Sequence, residues 1–253
     1  MGIKLKGCKE DFRVASLAER KRFYYNEFKA SEVKKFFVRN GMKVPQICAL
    51  DAGSESGVII DKKLKGIILY FPFKELEKKV KKYLPEDVYY DRCEYANPAQ
   101  VLKTMNFRDW KEQELMFDID SDNVKCKCSQ GKGKNKEKFC CNCLQKALDE
   151  ALKIEKLLRK KGFKKTFLSY SGRGFHVHVL DEKAYRMTIG ERRTLVKDFM
   201  KFGIDEWVSK GFIKLARLPL SLHGLVSRKF IGVKADKTGK FDLKNSFPKR
   251  LDN

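Results

Sequence analysis

The sequence has no apolar run that approaches the length of a membrane span. A helix that crosses a bilayer needs about 20 consecutive apolar residues, and the 253-residue sequence contains no such stretch. Residues 1–6 also lack the apolar core of a signal peptide, and position 6 is not the Ser or Thr that a myristoylation site requires. We therefore expect an intracellular protein that is not bound to a membrane.

Linkers and internal repeats are absent as well. No stretch rich in Pro, Ser or Gly divides the chain, and its length fits one large domain. Hydrophobic residues make up 42% of the sequence, which is enough to bury a substantial core. The prediction is a single domain over residues 1–253, with an insertion at about 124–144. Residues 235–253 are basic and poor in apolar residues, so we expect a flexible tail there.

Acidic residues are outnumbered by basic ones. The sequence has 56 Lys and Arg against 33 Asp and Glu, a formal net charge of +23. This excess favours a polyanionic partner, because each phosphate that Lys or Arg neutralises releases condensed counterions. A lysine-rich solvated surface is the alternative that charge alone leaves open. An anionic membrane would attract the same charge, but the sequence offers no apolar segment to insert.

The hydrophobic pattern predicts an α+β fold in which a mixed or antiparallel sheet is flanked by helices. Helical periodicity and helix-stop residues mark segments 16–28, 31–40, 73–84, 143–161 and 189–208. Short apolar runs bounded by turn residues predict strands at 47–50, 58–60, 67–71, 114–120, 166–170 and 175–180. Residues 212–233 are expected to be mostly extended.

An acidic motif, Phe-Asp-Ile-Asp-Ser-Asp, occupies residues 117–122. Asp118 and Asp120 project from the same face of the predicted strand, because alternate side chains share a face. Neighbouring carboxylates repel each other unless a cation lies between them, and oxygen ligands suit Mg²⁺ or Mn²⁺. An EF-hand is excluded, since Asn123 and Ser129 stand where its loop needs Gly and Glu. A strand that ends in a solvated acidic turn remains the alternative.

A glycine-containing turn follows at residues 171–174, with the sequence Ser-Gly-Arg-Gly. Such a turn exposes backbone N–H groups that bind anions, and Ser171 and Arg173 add donors beside them. His176 and His178 then share one face of the next strand. These features predict a phosphate-binding turn, with an ordinary hairpin as the alternative. A Walker A loop is excluded, because no Gly-Lys-Ser/Thr stands at the required spacing.

Histidine is scarce, and its placement is informative. The sequence contains three histidines, two in the turn segment and the third, His223, in the run from Asp205 to His223. Arg217 and His223 are candidate donors to a phosphate.

Five of the eight cysteines lie between residues 126 and 143. The pairs Cys126/Cys128 and Cys140/Cys143 have the spacing of a structural zinc knuckle, in which four thiolates surround Zn²⁺ and leave no open position. Cys141 could replace Cys140 by a small shift, and this alternative stays open. The remaining cysteines are interpreted as ordinary thiols: Cys8, Cys48 and Cys93.

Taken together and in this order, the motifs resemble the small catalytic subunit of archaeal and eukaryotic DNA primases. The resemblance rests on residues 114–120, the four cysteines, residues 171–176, and the segment from Asp205 to Gly224. It covers roughly residues 24–233 and is strongest from Glu114 onward. It implies a primase fold and template-directed primer synthesis by two-metal nucleotidyl transfer from nucleoside triphosphates.

The resemblance also implies roles for individual residues. Three carboxylates would hold two Mg²⁺ or Mn²⁺ ions: Asp118, Asp120 and Asp205. Five side chains would contact the triphosphate of the incoming nucleotide: Ser171, Arg173, His176, Arg217 and His223. One structural Zn²⁺ would be bound by Cys126, Cys128, Cys140 and Cys143. No role is implied for His178.

The sequence departs from the family pattern in one region. Leu220 stands where relatives often have glycine, and residues 225–227 replace the usual Lys-Thr-Gly, so the shape of this loop is open. The helical subdomain that some relatives insert before Asp205 is absent, since residues 179–204 have room for essentially one helix.

The implied partners are single-stranded DNA, nucleoside triphosphates and a large subunit with an iron–sulfur domain. Three alternatives are a stand-alone primase-polymerase of the same superfamily, a metal-dependent phosphoesterase that uses His176 and His178, and a non-catalytic zinc-containing nucleic-acid-binding module.

Overall fold

The structure, a computed structural model, describes residues 2–9, 12–51, 66–126 and 140–249. The helices are α1 Leu17–Asn26, α2 Ala30–Arg39, α3 Leu76–Tyr83, α4 Pro98–Thr104, α5 Cys141–Lys160, α6 Glu182–Tyr185, α7 Ile189–Lys197 and α8 Glu206–Ser209. The strands are β1 Lys4–Lys6, β2 Ile47–Asp51, β3 Ile68–Pro72, β4 Asp87–Asp91, β5 Cys93–Tyr95, β6 Trp110–Gln113, β7 Leu115–Asp120, β8 Thr166–Tyr170, β9 Gly174–Val179, β10 Leu215–Arg217, β11 Leu222–His223, β12 Arg228–Lys229, β13 Ile231–Gly232 and β14 Lys240–Asp242. No helix within the described ranges combines the length and apolar character needed to cross a bilayer.

The chain forms two compact units. The first comprises Met1–Asp11, Glu114–Ile213 and Ile231–Asn245, and the second comprises Phe12–Gln113, Lys214–Phe230 and Ser246–Asn253. The predicted α+β class is confirmed, and the described residues form several antiparallel sheets and one parallel pair of strands. The single catalytic domain stays a prediction.

The first unit is organised around a four-stranded antiparallel sheet in the order β13-β8-β9-β7. Helix α5 packs against β9 and β7. Its apolar residues recur at helical spacing, so one face is buried: Cys143, Leu144, Ala147, Leu148, Ala151, Ile154 and Leu158. The helix ends before Gly162, which has a φ of +83° in the left-handed region that favours glycine.

The second unit contains a second four-stranded antiparallel sheet, in the order β10-β4-β2-β3. Two smaller antiparallel pairs, β5 with β6 and β11 with β12, complete it. Helix α1 begins with a capping box, in which the Ser16 hydroxyl accepts from the Glu19 N–H and the Glu19 carboxylate accepts from the Ser16 N–H.

Three sequence predictions need correction or comment. The single helix predicted over 189–208 is two helices, α7 and α8, separated by irregular turns. Gly203 lies in this break, where a Cβ would meet the main chain of Asn123 at 3.0 Å. Within the predicted tail, β14 pairs in parallel with β1 and buries Phe241. The strand predicted at 58–60 lies outside the described residues.

Candidate active site and cysteine cluster

Asp118 and His176 face each other across the sheet of the first unit. The register of β7 and β9 places Asp118 opposite His176, and antiparallel partners point to the same face. The distance from His176 Nε2 to Asp118 Oδ1 is 3.3 Å. Asp118 Oδ1 is buried and accepts no hydrogen bond from the described residues. A buried carboxylate oxygen that accepts no hydrogen bond fits a metal ligand, because burying a polar atom without a hydrogen bond is costly.

Asp120 lies on the same face as Asp118, as the alternation predicts, and pairs with Arg173. The Arg173 guanidinium is 2.8 Å from Asp120 Oδ2 and 3.8 Å from a carboxylate oxygen of Asp122. Opposite Asp120 stands Gly174, where an added Cβ would lie 2.2 Å from the carbonyl oxygen of Ile119. The second glycine of the turn is therefore required by close approach of the two backbones.

The turn itself is closed by Ser171. The Ser171 N–H donates to the Gly174 carbonyl at 3.0 Å, and the Gly174 N–H donates to the Ser171 hydroxyl at 3.2 Å. The first glycine, Gly172, has a φ of +107°. The Ser171 hydroxyl oxygen thus accepts a hydrogen bond that stabilises the turn, and this bond does not use the hydroxyl hydrogen.

Asp205 is tied to β7 and caps α8. Its N–H donates to the Asp118 carbonyl at 2.8 Å. Its Oδ1 atom accepts from the N–H groups of Trp207 at 2.8 Å and Val208 at 3.0 Å. The first unit thus places His176 opposite Asp118, Arg173 beside Asp120, and the main chain of Asp205 against that of Asp118.

His178 belongs to a buried hydrogen-bonded chain. Its Nε2 atom is 2.8 Å from the Ser169 hydroxyl, and its Nδ1 atom is 2.5 Å from a carboxylate oxygen of Glu114. All three side chains are buried. Because both ring nitrogens are used in these bonds, His178 acts as a support for β9 on the face that carries His176.

In the second unit, Arg217 and His223 converge on a carboxylate that the sequence reasoning missed. Asp87 Oδ1 is 2.5 Å from Arg217 and 3.3 Å from His223 Nδ1, and Oδ2 accepts from the Tyr89 hydroxyl at 3.2 Å. Burial would raise the pKa of Asp87, but Arg217 and His223 outweigh it and hold the pKa well below its usual range. No local motif marked Asp87; only the pairing of β4 with β10 reveals it.

The loop that departs from the family pattern contains two strained positions. Leu220 has a φ of +62° and Ser227 a φ of +51°, both in the left-handed region. A residue other than glycine pays roughly 1–2 kcal/mol there. The resemblance led us to expect glycine at both positions, and the backbone there has the conformation that glycine favours.

Three cysteines of the first unit form a cluster. The Sγ atoms of Cys126, Cys140 and Cys143 all lie within 4.8 Å of one another, and those of Cys140 and Cys143 are 3.7 Å apart. Metal–sulfur bonds of about 2.3 Å in a tetrahedron require sulfurs about 3.8 Å apart, so the cluster fits one metal ion. Cys128 lies outside the described residues. In the described ranges no other group of three potential ligands is this compact, the carboxylates included.

Cys141 is excluded from the cluster by a disulfide with Cys8, whose Cα lies 5.9 Å away. The interpretation of Cys8 as an ordinary thiol was therefore wrong. Consecutive residues at a helix start point in directions about 100° apart, whereas residues three apart share a side. Cys140 and Cys143 therefore face the cluster while Cys141 faces Cys8.

Comparison with known proteins identifies the sequence's relatives. The family model described as DNA primase small subunit matches residues 117–203. The "Uncharacterized DNA primase small subunit-like protein" of Archaeoglobus fulgidus is 33% identical over 251 residues, covering 92% of this chain and 89% of that protein. "DNA primase small subunit PriS" of Pyrobaculum calidifontis is 34% identical over 62% of this chain and 50% of its own length. "DNA primase small subunit PriS" of Pyrococcus furiosus is 27% identical over 82% and 60%. The aligned part thus spans about half to three fifths of these two PriS proteins.

Proposed function

The chain belongs to the DNA primase small-subunit family, and from this premise we propose that it is a primase, a nucleotidyltransferase that makes short primers on single-stranded DNA from nucleoside triphosphates. The observation that carries the proposal is the pairing of Asp118 with His176, with Asp205 hydrogen-bonded to the Asp118 main chain. This arrangement puts a carboxylate and an imidazole side by side on one face, which supports the proposal that Asp118 binds metal and His176 binds phosphate.

Asp118, Asp120 and Asp205 would hold two Mg²⁺ or Mn²⁺ ions. When bound, such ions lower the pKa of the attacking 3′-hydroxyl and neutralise charge on the phosphates. Asp118 Oδ1 is buried without a hydrogen bond. All the proposed metal ligands are carboxylate oxygens, which suit these ions. Asp120 is now paired with Arg173, so the carboxylate and the guanidinium would separate when each takes its own ligand.

Ser171, Arg173 and His176 would bind the triphosphate. Arg173 supplies a planar set of N–H donors at the mouth of the turn, and His176 supplies a ring nitrogen beside Asp118. In the second unit, Arg217 and His223 are proposed as further phosphate contacts. Asp87 holds these two side chains in fixed orientations, which lowers the entropy lost on binding.

One structural Zn²⁺ is proposed for Cys126, Cys140 and Cys143, with Cys128 as the fourth ligand. The 3.7 Å separation of two of the sulfurs supports this metal. A four-thiolate site has no open position, so its role would be to fix the start of α5 against the segment that follows β7.

The rest of the proposal follows the relatives named "DNA primase small subunit". We infer a primase fold, single-stranded DNA as template, and a large subunit with an iron–sulfur domain as partner. The phosphoesterase alternative needs His178 as a metal ligand, but both of its ring nitrogens are in buried hydrogen bonds. The non-catalytic alternative leaves the Asp118–His176 pair without a role.

A primer-synthesis assay tests the proposal. Single-stranded DNA, labelled nucleoside triphosphates and Mg²⁺ or Mn²⁺ should give template-dependent products, with and without a pre-annealed primer. Ribo- and deoxyribonucleoside triphosphates are supplied in separate reactions, so that the assay also measures which of the two the protein prefers. Release of free phosphate without strand synthesis would instead indicate a hydrolase, and no reaction with any primed template would contradict the proposal.

A further inference from the structure

Two aromatic side chains of the first unit are exposed side by side, and they are here called the aromatic platform. Trp207 lies in α8 and is 63% exposed. Phe212 follows the end of α8 and is 45% exposed. Their ring centroids are 5.5 Å apart, with the ring planes tilted by 57°. Large exposed aromatic side chains that adjoin each other mark a binding surface more often than an isolated one does.

The backbone holds the aromatic platform in place. The Phe212 N–H donates to the Trp207 carbonyl at 3.0 Å. The Trp207 N–H donates to the Asp205 carboxylate at 2.8 Å. The two rings are therefore presented by a hydrogen-bonded turn, so their orientation costs little to maintain on binding.

The aromatic platform adjoins the proposed metal site. Trp207 follows Asp205 by two residues, and the Asp205 N–H is bonded to the Asp118 carbonyl. A folded protein seated on the rings would crowd the surroundings of the Asp205 carboxylate. A single strand of nucleic acid, which is extended and has flat unpaired bases, would leave the Asp205 carboxylate accessible. The net charge of +23 also favours a polyanion.

We propose that Trp207 and Phe212 stack against unpaired bases of the single-stranded DNA template as it passes the carboxylates. Every base has a π-face, so such stacking tolerates any template sequence, as a primase requires. This inference rests on the proposed function and names the residues that hold the template beside the site. Base stacking on aromatic side chains is one general means by which proteins bind single strands.

The first test uses Trp207 as its own reporter. The sequence has two tryptophans, Trp110 and Trp207, so Trp110→Phe leaves Trp207 as the sole indole. Adding oligothymidylate should quench its fluorescence, because a stacked base contacts the ring directly. A duplex of equal length, whose base faces are hidden, should quench it far less. Equal emission with and without the single strand would overturn the proposal.

The second test measures affinity. Trp207→Ala and Phe212→Ala should each weaken binding of labelled oligothymidylate by about fivefold or more, and the double variant by more than either. Trp207→Phe should keep most of the affinity, since it keeps a ring. Tyr25→Ala, which removes a 54% exposed aromatic from the second unit, should change nothing. Affinity for duplex DNA should be the same in all variants.

The outcomes separate this inference from the proposed function. Primer synthesis by the wild type together with unchanged single-strand affinity in Trp207→Ala/Phe212→Ala would overturn the platform alone, and would point to a protein as its occupant. Quenching of Trp207 by single strands in Trp110→Phe, together with a wild type that makes no primers, would support the platform and contradict the primase proposal. Thermal melting of each variant checks that the exposed substitutions leave the fold intact.

Discussion

At the scale of single residues, Asp118 is the side chain on which the proposed chemistry depends most. Asp118→Ala should reduce nucleotide transfer by about a hundredfold or more, because a metal ligand is lost. The midpoint of thermal unfolding should move by no more than about 3 °C, since the buried Oδ1 makes no hydrogen bond that would be lost. Extension assays and melting curves on the purified variant measure both quantities.

A matched control for Asp118 is Asp198→Ala. Asp198 is an exposed aspartate of the first unit that pairs with Lys161 at the surface, and exposed pairs contribute little. This variant should extend primers normally. Normal extension by Asp118→Ala would contradict the metal assignment.

The two neighbouring histidines of β9 should behave differently. His176→Ala should weaken nucleotide affinity about tenfold, because a charge-assisted phosphate contact is worth roughly 1.5–3 kcal/mol. Affinity for single-stranded DNA should hardly change. Separate titrations with labelled nucleotide and labelled DNA distinguish these effects, and equal loss of both ligands would mean that the turn is only structural.

His178→Ala provides the contrast. It leaves Glu114 and Ser169 without the ring that they contact in the buried chain. We expect the free energy of unfolding to fall by about 2–4 kcal/mol. Chemical denaturation of both variants should show this loss for His178→Ala and a much smaller one for His176→Ala.

At the scale of elements, the start of α1 makes stability depend on pH. Hydrogen bonds from Arg13 lower the pKa of Glu19 from 4.5 to about 2. A pKa that is lower in the folded state stabilises the fold above the unfolded pKa, and this stabilisation is lost as the pH falls from about 4.5 to about 2. Glu19→Gln should therefore unfold with less pH dependence than the wild type within that window, measured by denaturation at a series of pH values.

Ser16→Ala is the control for that element. It removes the other half of the capping box without removing the titrating group. The loss should be about 1 kcal/mol, with a smaller change in pH dependence than in Glu19→Gln, because Arg13 is the main cause of the lowered pKa of Glu19. A Glu19→Gln variant with the wild-type pH profile would show that Arg13 does not hold the carboxylate in solution.

The cysteine cluster joins the end of the β7 segment to the start of α5. Protein purified without chelator should contain one zinc ion per chain, and chelation should lower the melting temperature before it lowers the transfer rate. Cys143→Ser should lose the metal. The double variant Cys8→Ser/Cys141→Ser should keep it, because the disulfide is separate from the cluster. Absence of zinc in the wild type, by metal analysis, would contradict the assignment.

At the scale of the whole molecule, the charge predicts strong salt dependence. With a net charge of +23, binding to single-stranded DNA should release counterions. If about five phosphates are neutralised, affinity should fall about a hundredfold between 50 and 200 mM salt. Fluorescence anisotropy over that salt range measures the slope. An affinity that does not change with salt would mean that the positive charge does not contribute to DNA binding.

The local sequence alone determined which side chains share a face of β7 and of α5, and which family the motifs indicate. The alternation of Phe117, Asp118, Ile119 and Asp120 places the two carboxylates on one strand face, since side-chain direction along a strand has a period of two. The apolar spacing of α5 identifies its buried face, because that face repeats every three to four residues. The order of the motifs was sufficient to recognise the family.

Only tertiary structure decided which distant groups meet. The pairing of Asp118 with His176 depends on the register of two strands, and the contact of Asp87 with Arg217 joins residues 130 positions apart. No periodic pattern encodes such contacts, because they depend on how separate elements pack. The same holds for Cys8, which looked ordinary in sequence yet bonds to Cys141. The exposure of Trp207 is likewise a property of the packed chain, since a tryptophan in sequence is as readily buried as presented to a ligand.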